Sequence, residues 1–180
     1  LPCRDAAFEV AVSCGSTFSF LADPARALQE VARTLRPGGS LFLEVEHRWS
    51  LDLLWRLASS VTGDPLGYEV APAGARRAFC RPLASGIWID YPGYPPLRLF
   101  TRSELGGLIG AVGLVPVRWW GIHSVTNLVP STLSHRPRLG RALSRVYRAL
   151  TRLDRRLAGT PLGAGAANSL VVLARKPNGG

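Results

Sequence analysis

The 180-residue sequence has no methionine and a single lysine, Lys176. With Leu1 as its first residue, and with neither a charged-then-apolar leader nor a small-residue cleavage motif, the sequence reads as a piece of a longer protein. Long apolar runs are also missing. None reaches the roughly 18 residues that a spanning helix needs, which predicts a soluble chain. Cysteine is scarce: Cys3, Cys14 and Cys80 are odd in number, far apart and without a C-x-x-C spacing. That pattern argues against a disulfide framework or a zinc ribbon and predicts free thiols in a reducing, cytoplasmic compartment. No His, Cys, Asp or Glu spacing suggests a metal site.

What is present is apolar residues, arginine, glycine and proline. Hydrophobic residues make up 47% and charged residues 19%, which excludes a disordered chain. The net charge of +10 is almost all arginine. It is read either as the imprint of a GC-rich coding sequence or as a basic surface for acidic partners.

Phe8, Val10 and Val12 alternate, predicting a strand over 8–14 that runs into Gly15. Asp23-Pro24 opens a helix, as an N-cap followed by a first-turn proline. Ala27, Leu28, Val31, Ala32 and Leu35 continue it, and Pro37-Gly38-Gly39 is expected to end it. The run from Ser40 to Val45 predicts a second strand covered on both faces. Strand, helix and strand in so short a span form a βαβ unit, which favours a parallel sheet. A helix over 50–61 follows, with Ser50 as cap and Leu53, Leu54, Leu57 and Ala58 as its apolar face. Residues 62–99 read as an irregular insertion whose best strand is Ile87 to Asp90. Thr101 caps a helix from Arg102 to Val112 that stops at Gly113. A strand over Val115 to Ile122, a basic helix at about 137–158 and a strand over Ala167 to Arg175 complete the chain.

Leu1-Pro2, Phe8-Glu9, Asp23-Pro24 and Leu35-Arg36-Pro37-Gly38-Gly39, in that order and spacing, resemble the second half of class I S-adenosylmethionine-dependent methyltransferase domains. The segment from Leu99 to His123, with its Phe-Thr-x-x-Glu-Leu start, resembles the same family's later helix and strand. The resemblance implies an α/β, Rossmann-like, mostly parallel sheet with helices on both faces, here incomplete at its N-terminus. Residues 1–180 would be the C-terminal part of one such domain. The family's glycine-rich turn, which holds the amino-acid end of the cofactor, has no counterpart in this sequence. A fragment of this kind is expected to be weak or inactive alone.

In open α/β sheets ligands sit beyond the carboxyl ends of the strands. The resemblance therefore implies S-adenosyl-L-methionine as cofactor, with Ser13, Cys14, Gly15 and Ser16 lining its methionine end. Those four also read as a plain tight turn. The family often has Glu-His before the Asp-Pro stretch; here Ser19-Phe20 stand there, so no role is carried over. His47, just past the second strand, and His123, past the third, are candidate general bases, since imidazole can take a proton near neutrality. Each is equally an ordinary loop histidine. Trp88, Tyr91 and Tyr94, with Trp119 and Trp120, could line an acceptor pocket or belong to the core.

Leu139, Leu143, Val146, Leu150, Leu153 and Leu157 recur by steps of three and four in the basic helix, among eight arginines and one acid, Asp154. That pattern suits a helix packed on the sheet with a solvated basic face. It also suits an anionic membrane surface, bound through the arginines of 136–156. Nucleic acid is disfavoured by the lack of aromatic interleaving and of any binding motif. The reading is methyl transfer to a small-molecule or lipid-like acceptor. Its rivals are a non-catalytic α/β interaction domain and a basic membrane-peripheral or nucleic-acid-binding module.

Overall fold

Apolar residues at every second position of Phe8–Ser13 and Leu35–Glu46 give two strands, β1 and β2, that pair in parallel. The structure, a computed structural model, describes residues 1–62, 86–89, 95–130, 133 and 140–178. Helix α1 (Pro24–Thr34) joins the two strands, completing the expected βαβ unit. The Asp23 carboxylate accepts the Arg26 amide at 2.9 Å, the N-cap its sequence announces. Helix α2 (Asp52–Thr62) follows, then β3 (Ile87–Ile89) and β4 (Leu97–Leu99), paired antiparallel as a ribbon. Next come α3 (Arg102–Ala111), β5 (Val115–Ile122), α4 (Arg141–Leu157), α5 (Pro161–Ala166) and β6 (Ser169–Arg175).

The main sheet has the order β1-β2-β6-β5. Strand β6 is antiparallel to both β2 and β5, so β1, β2 and β5 all run one way and β6 alone is reversed. The α/β, Rossmann-like class is therefore as expected. On one face Leu41, Leu43 and Val45 of β2 and Leu170, Val172 and Ala174 of β6 pack with Leu28 and Ala32 of α1 and Leu105 and Ile109 of α3. Each such leucine, fully buried, contributes about 1.5–3 kcal/mol relative to exposure. At the far edge the connection between α4 and α5 wraps β5, where the Gly121 amide donates to the Ala158 carbonyl at 2.8 Å. A smaller core of Leu53, Ile87, Ile89, Leu97 and Leu99 sits under the ribbon, with Phe20 and Trp49 against it.

Two local expectations need correcting. Helix α1 ends at Thr34, before Pro37-Gly38-Gly39, and Leu35 is already extended. The glycines instead shape an irregularity inside β2: Gly38 has φ +77°, and the β1–β2 register shifts between Phe8 and Val10. Lys176 closes the helix from across the sheet end, donating its ammonium to the Ala32 and Leu35 carbonyls at 2.7 and 2.8 Å. In α2, Leu53 is buried but Leu54 is exposed, since that short helix covers the ribbon core with a narrow face only; the side chain of Leu57 lies outside the described residues.

Candidate functional site

The sheet's carboxyl edge is built by four segments: the loop after β1, the end of β2, the end of β5 and the start of the reversed β6. The β1 loop turns sharply. Gly15 has φ +68° and Ser16 φ +55°, a left-handed conformation that a serine adopts only at a cost. A 3-10 turn over Thr17–Phe20 follows. Cys14 and Gly15 are exposed, whereas Ser16 is buried.

Two carboxylates hold this loop. Glu44 and Glu46 lie two residues apart on β2 and so share a face. Glu44 accepts the Gly15 amide at 2.7 Å. Glu46 accepts the Ser16 hydroxyl at 2.8 Å and the Asn168 side-chain amide at 3.2 Å, while its own amide donates to the Ser19 hydroxyl at 2.9 Å. Asn168 also donates its backbone amide toward the Ile122 and His123 carbonyls at 3.0 and 3.1 Å, and its carbonyl accepts the His47 amide at 2.8 Å. One glutamate and one asparagine thus tie all four segments together. Of the proposed loop contacts, Ser16 is committed to Glu46, leaving the exposed Cys14–Gly15 turn and the half-buried Ser13 to meet a ligand. No atom lies within 4 Å of where a Gly15 side chain would begin, so the turn offers open space for one.

His47 is buried, and burial is the main reason its pKa is lowered to about 4. Its Nδ1–H donates to the Ala167 carbonyl at 3.1 Å, which opposes that shift and leaves Nε2 with the lone pair. The ring is neutral at neutral pH and a weaker proton acceptor than a solvated histidine. It lines an open cavity of about 610 Å³ together with Trp49, Thr101, Arg102, Ser103, Gly106, Pro116, Trp119 and Gly165. The Arg102 guanidinium stacks 5.2 Å over the Trp119 ring. Trp120 faces away from that cavity's core, against Phe42 at 6.2 Å.

His123 occupies the left-handed region at φ +56° and is exposed, with Nδ1 3.3 Å from the Thr126 hydroxyl. It lines a separate cavity of about 240 Å³ with Thr126, Asp154 and Arg155. The two candidate bases therefore serve different cavities. Trp88 is half-exposed on the ribbon under the Arg98 guanidinium, 5.4 Å from it. The ribbon packs on the 3-10 turn and on β2, beside the edge just described. Tyr91 and Tyr94 lie outside the described residues. Among the described residues no three His, Cys, Asp or Glu side chains gather where a metal ion could be held.

Glu44 and Glu46 are not among the site residues that the sequence singles out. Their signal was present: two acids at alternate positions of an otherwise apolar strand. Asn168 and Ser19 gave none.

Residues 1–43 match the family model described as Methyltransferase domain. A SAM-dependent methyltransferase from Thermotoga maritima is similar in structure, with a TM-score of 0.54 and 20% identity over 98% of this chain and 59% of that one. The fold is that of the class I S-adenosylmethionine-dependent methyltransferases. An S-adenosylmethionine-dependent methyltransferase from Listeria monocytogenes gives the same TM-score, 0.54, at 15% identity over 98% of this chain and 64% of that one. The 1,6-didemethyltoxoflavin-N1-methyltransferase of Burkholderia thailandensis, solved with 1,6-didemethyltoxoflavin and S-adenosylhomocysteine, aligns over 97% of this chain and 46% of its own, at 16% identity and a TM-score of 0.48. The chain thus spans about half to two thirds of these methyltransferases. No curated protein matches it. The segment with methyltransferase-domain sequence covers β1, its loop, α1 and most of β2.

Proposed function

We propose that this chain is the C-terminal part of one S-adenosylmethionine-dependent methyltransferase domain acting on a small organic or lipid-like acceptor. The observation that carries the reading is the Ser13–Ser16 loop. It lies at the sheet's carboxyl edge, inside the segment with methyltransferase-domain sequence, and exposes Cys14 and Gly15 there.

The negative charge of the site suits the two cationic groups of the cofactor's methionine end, its ammonium and its sulfonium. Glu44 and Glu46 supply negative charge beside the turn, and the Gly15 backbone leaves room for close approach. When bound, the cofactor supplies a methyl group already activated on its sulfonium centre. What remains for the protein is alignment, exclusion of water and a place for the acceptor's proton. The loop and the two carboxylates orient. The ribbon carrying Trp88 shields the edge and offers aromatic surface to an acceptor. His47, held neutral by burial, presents Nε2 as a hydrogen-bond acceptor to a hydroxyl or amine in its cavity. His123 serves the neighbouring cavity in the same capacity. Because the chain spans only part of its structural relatives, it binds cofactor weakly and turns over slowly or not at all by itself. The free thiols Cys3 and Cys14 suit a reducing cytoplasm. Among the described residues no helix is long and apolar enough to cross a membrane.

Titration of S-adenosylhomocysteine into isotope-labelled chain, followed by amide chemical shifts, tests the reading even when binding is weak. Shifts concentrated at residues 13–16, 44–47 and 168 are expected, and Gly15→Val should abolish them. An unchanged spectrum at saturating ligand would favour the rival, an α/β interaction domain that keeps the fold without the activity.

A further inference from the structure

Helix α4 separates charge from apolar surface sharply. Arg141, Arg145, Arg148, Arg152, Arg155 and Arg156 face one acid, Asp154. That acid is already used: its carboxylate accepts the Val125 amide at 2.7 Å, the Thr126 amide at 3.2 Å and the Thr126 hydroxyl. Among the described residues no α4 arginine makes an ion pair. The helix is therefore moored to the turn after β5 through Asp154, and its six positive charges remain uncompensated.

A sheet-packed helix would bury its apolar stripe. This one does not, and that expectation is corrected: no residue of α4 is buried. Val146 is 51% and Leu153 43% exposed, while Leu143, Leu150 and Leu157 are only half-buried. Leu128 and Leu162, on the two segments that α4 packs against, are 50% and 70% exposed. A basic helix with its apolar side in water, and too polar to cross a bilayer, has the composition of an interfacial helix.

We infer that α4 docks the chain onto an anionic lipid bilayer surface. The Val146–Leu153 side enters the boundary between headgroups and acyl chains, and the guanidinium groups pair with lipid phosphates, for which their planar fork is suited. A nucleic acid would take the arginines but leave Val146 and Leu153 in water. A second copy would cover the stripe but set two arginine-rich helices against each other. The bilayer satisfies both halves of the pattern. On the methyltransferase reading, docking also holds the sheet's carboxyl edge, next to the mooring turn, close to where a lipid-soluble acceptor would partition; the docking itself does not depend on that reading.

The test is flotation of the purified full chain with vesicles of phosphatidylcholine alone, and with vesicles in which a third of the lipid is phosphatidylglycerol. Binding to the anionic vesicles at least about tenfold tighter than to the neutral ones is expected, weakening as salt rises. Two variants resolve the halves: Arg145→Glu with Arg152→Glu, and Val146→Asp with Leu153→Asp. Both pairs lie on the surface, so thermal unfolding should be unchanged while each weakens vesicle binding about tenfold or more. Equal or absent binding to both vesicles overturns the inference. So does anionic binding that the Val146→Asp, Leu153→Asp variant retains, which would mean adsorption by charge alone. A dimer in sedimentation that the same variant dissociates, with vesicle binding intact, would assign the stripe to a second copy and overturn it too. Vesicle binding without cofactor-induced shifts would leave this inference standing and remove only the methyltransferase reading.

Discussion

The hydroxyl of Ser16 donates to the Glu46 carboxylate at 2.8 Å, joining the left-handed turn after β1 to the last residue of β2. The same carboxylate takes the Asn168 amide, so it links segments far apart in the chain. Removing it leaves the Ser16 hydroxyl and the Asn168 amide without their acceptor in a part-buried position. Glu46→Ala should cost about 1–3 kcal/mol of stability by urea unfolding, and Glu46→Gln, which keeps an acceptor oxygen, less. Equal stability of Glu46→Ala and the parent would show that the tie is ornamental.

His47 sets an acid sensitivity. Its pKa falls from 6.5 to about 4 on folding, because burial disfavours the charged ring. Below pH 6.5 the unfolded chain takes up a proton that the folded chain refuses, so stability falls as pH drops from about 6.5 to about 4 and levels off beneath. The loss attributable to this group is of order 3 kcal/mol. His47→Asn keeps a donor for the Ala167 carbonyl but does not titrate. Urea midpoints measured across that window should fall less steeply in the variant than in the parent.

Two glycines of the same composition should behave oppositely. A Cβ on Gly121 would sit 2.3 Å from the Gly163 carbonyl oxygen and 2.6 Å from the Ala167 Cβ, both immovable without shifting α5 off β5. Gly121→Ala should destabilise by about 2–4 kcal/mol. Gly107, inside α3, has nothing within 4 Å. Gly107→Ala should stabilise by about 0.5–1 kcal/mol through helix propensity alone. Thermal denaturation of both variants reads the sign directly.

Asp154 moors α4, and Asp154→Ala should release the helix while leaving the sheet in place. Trypsin would then cut at Arg152, Arg155 and Arg156 several-fold faster than in the parent, with little change in the main unfolding transition. If the rates match, the mooring lies elsewhere on the helix.

Much of the fold was legible because its signals are local. Asp23-Pro24 and Thr101 announce their helices through hydrogen-bonding chemistry that needs only the next three residues, and both caps are made. Strands β1, β2, β5 and β6 were legible through alternation or continuous apolar runs. The end of α1 is not legible in the sequence because Pro37-Gly38-Gly39 looks alike whether it stops a helix or bends a strand. The choice was made by distant groups, the β1 backbone and Lys176.

The candidate site was legible in position and only partly in content. The topological rule pointed to the loop after β1 and the end of β2. It could not say that Ser16 would be spent on Glu46, nor that His47 would be buried against Ala167. Those outcomes depend on Asn168 and on the reversed β6, which arrive from the other end of the chain. In α4 the spacing of leucines marks an amphipathic helix, but whether a stripe is covered is a tertiary fact that periodicity does not contain.

Strand β1 closes one side of the sheet, and on its outward alternation Phe8, Val10 and Val12 are 45%, 58% and 64% exposed. Among the described residues one flank of its backbone pairs with β2 and no strand pairs with the other, which can therefore template a further strand. The behaviour of the chain in a test tube follows from this. As its concentration rises it should stack edge to edge and precipitate, and Val10→Lys should keep it clear in solution by setting a charge on the exposed face of that edge strand.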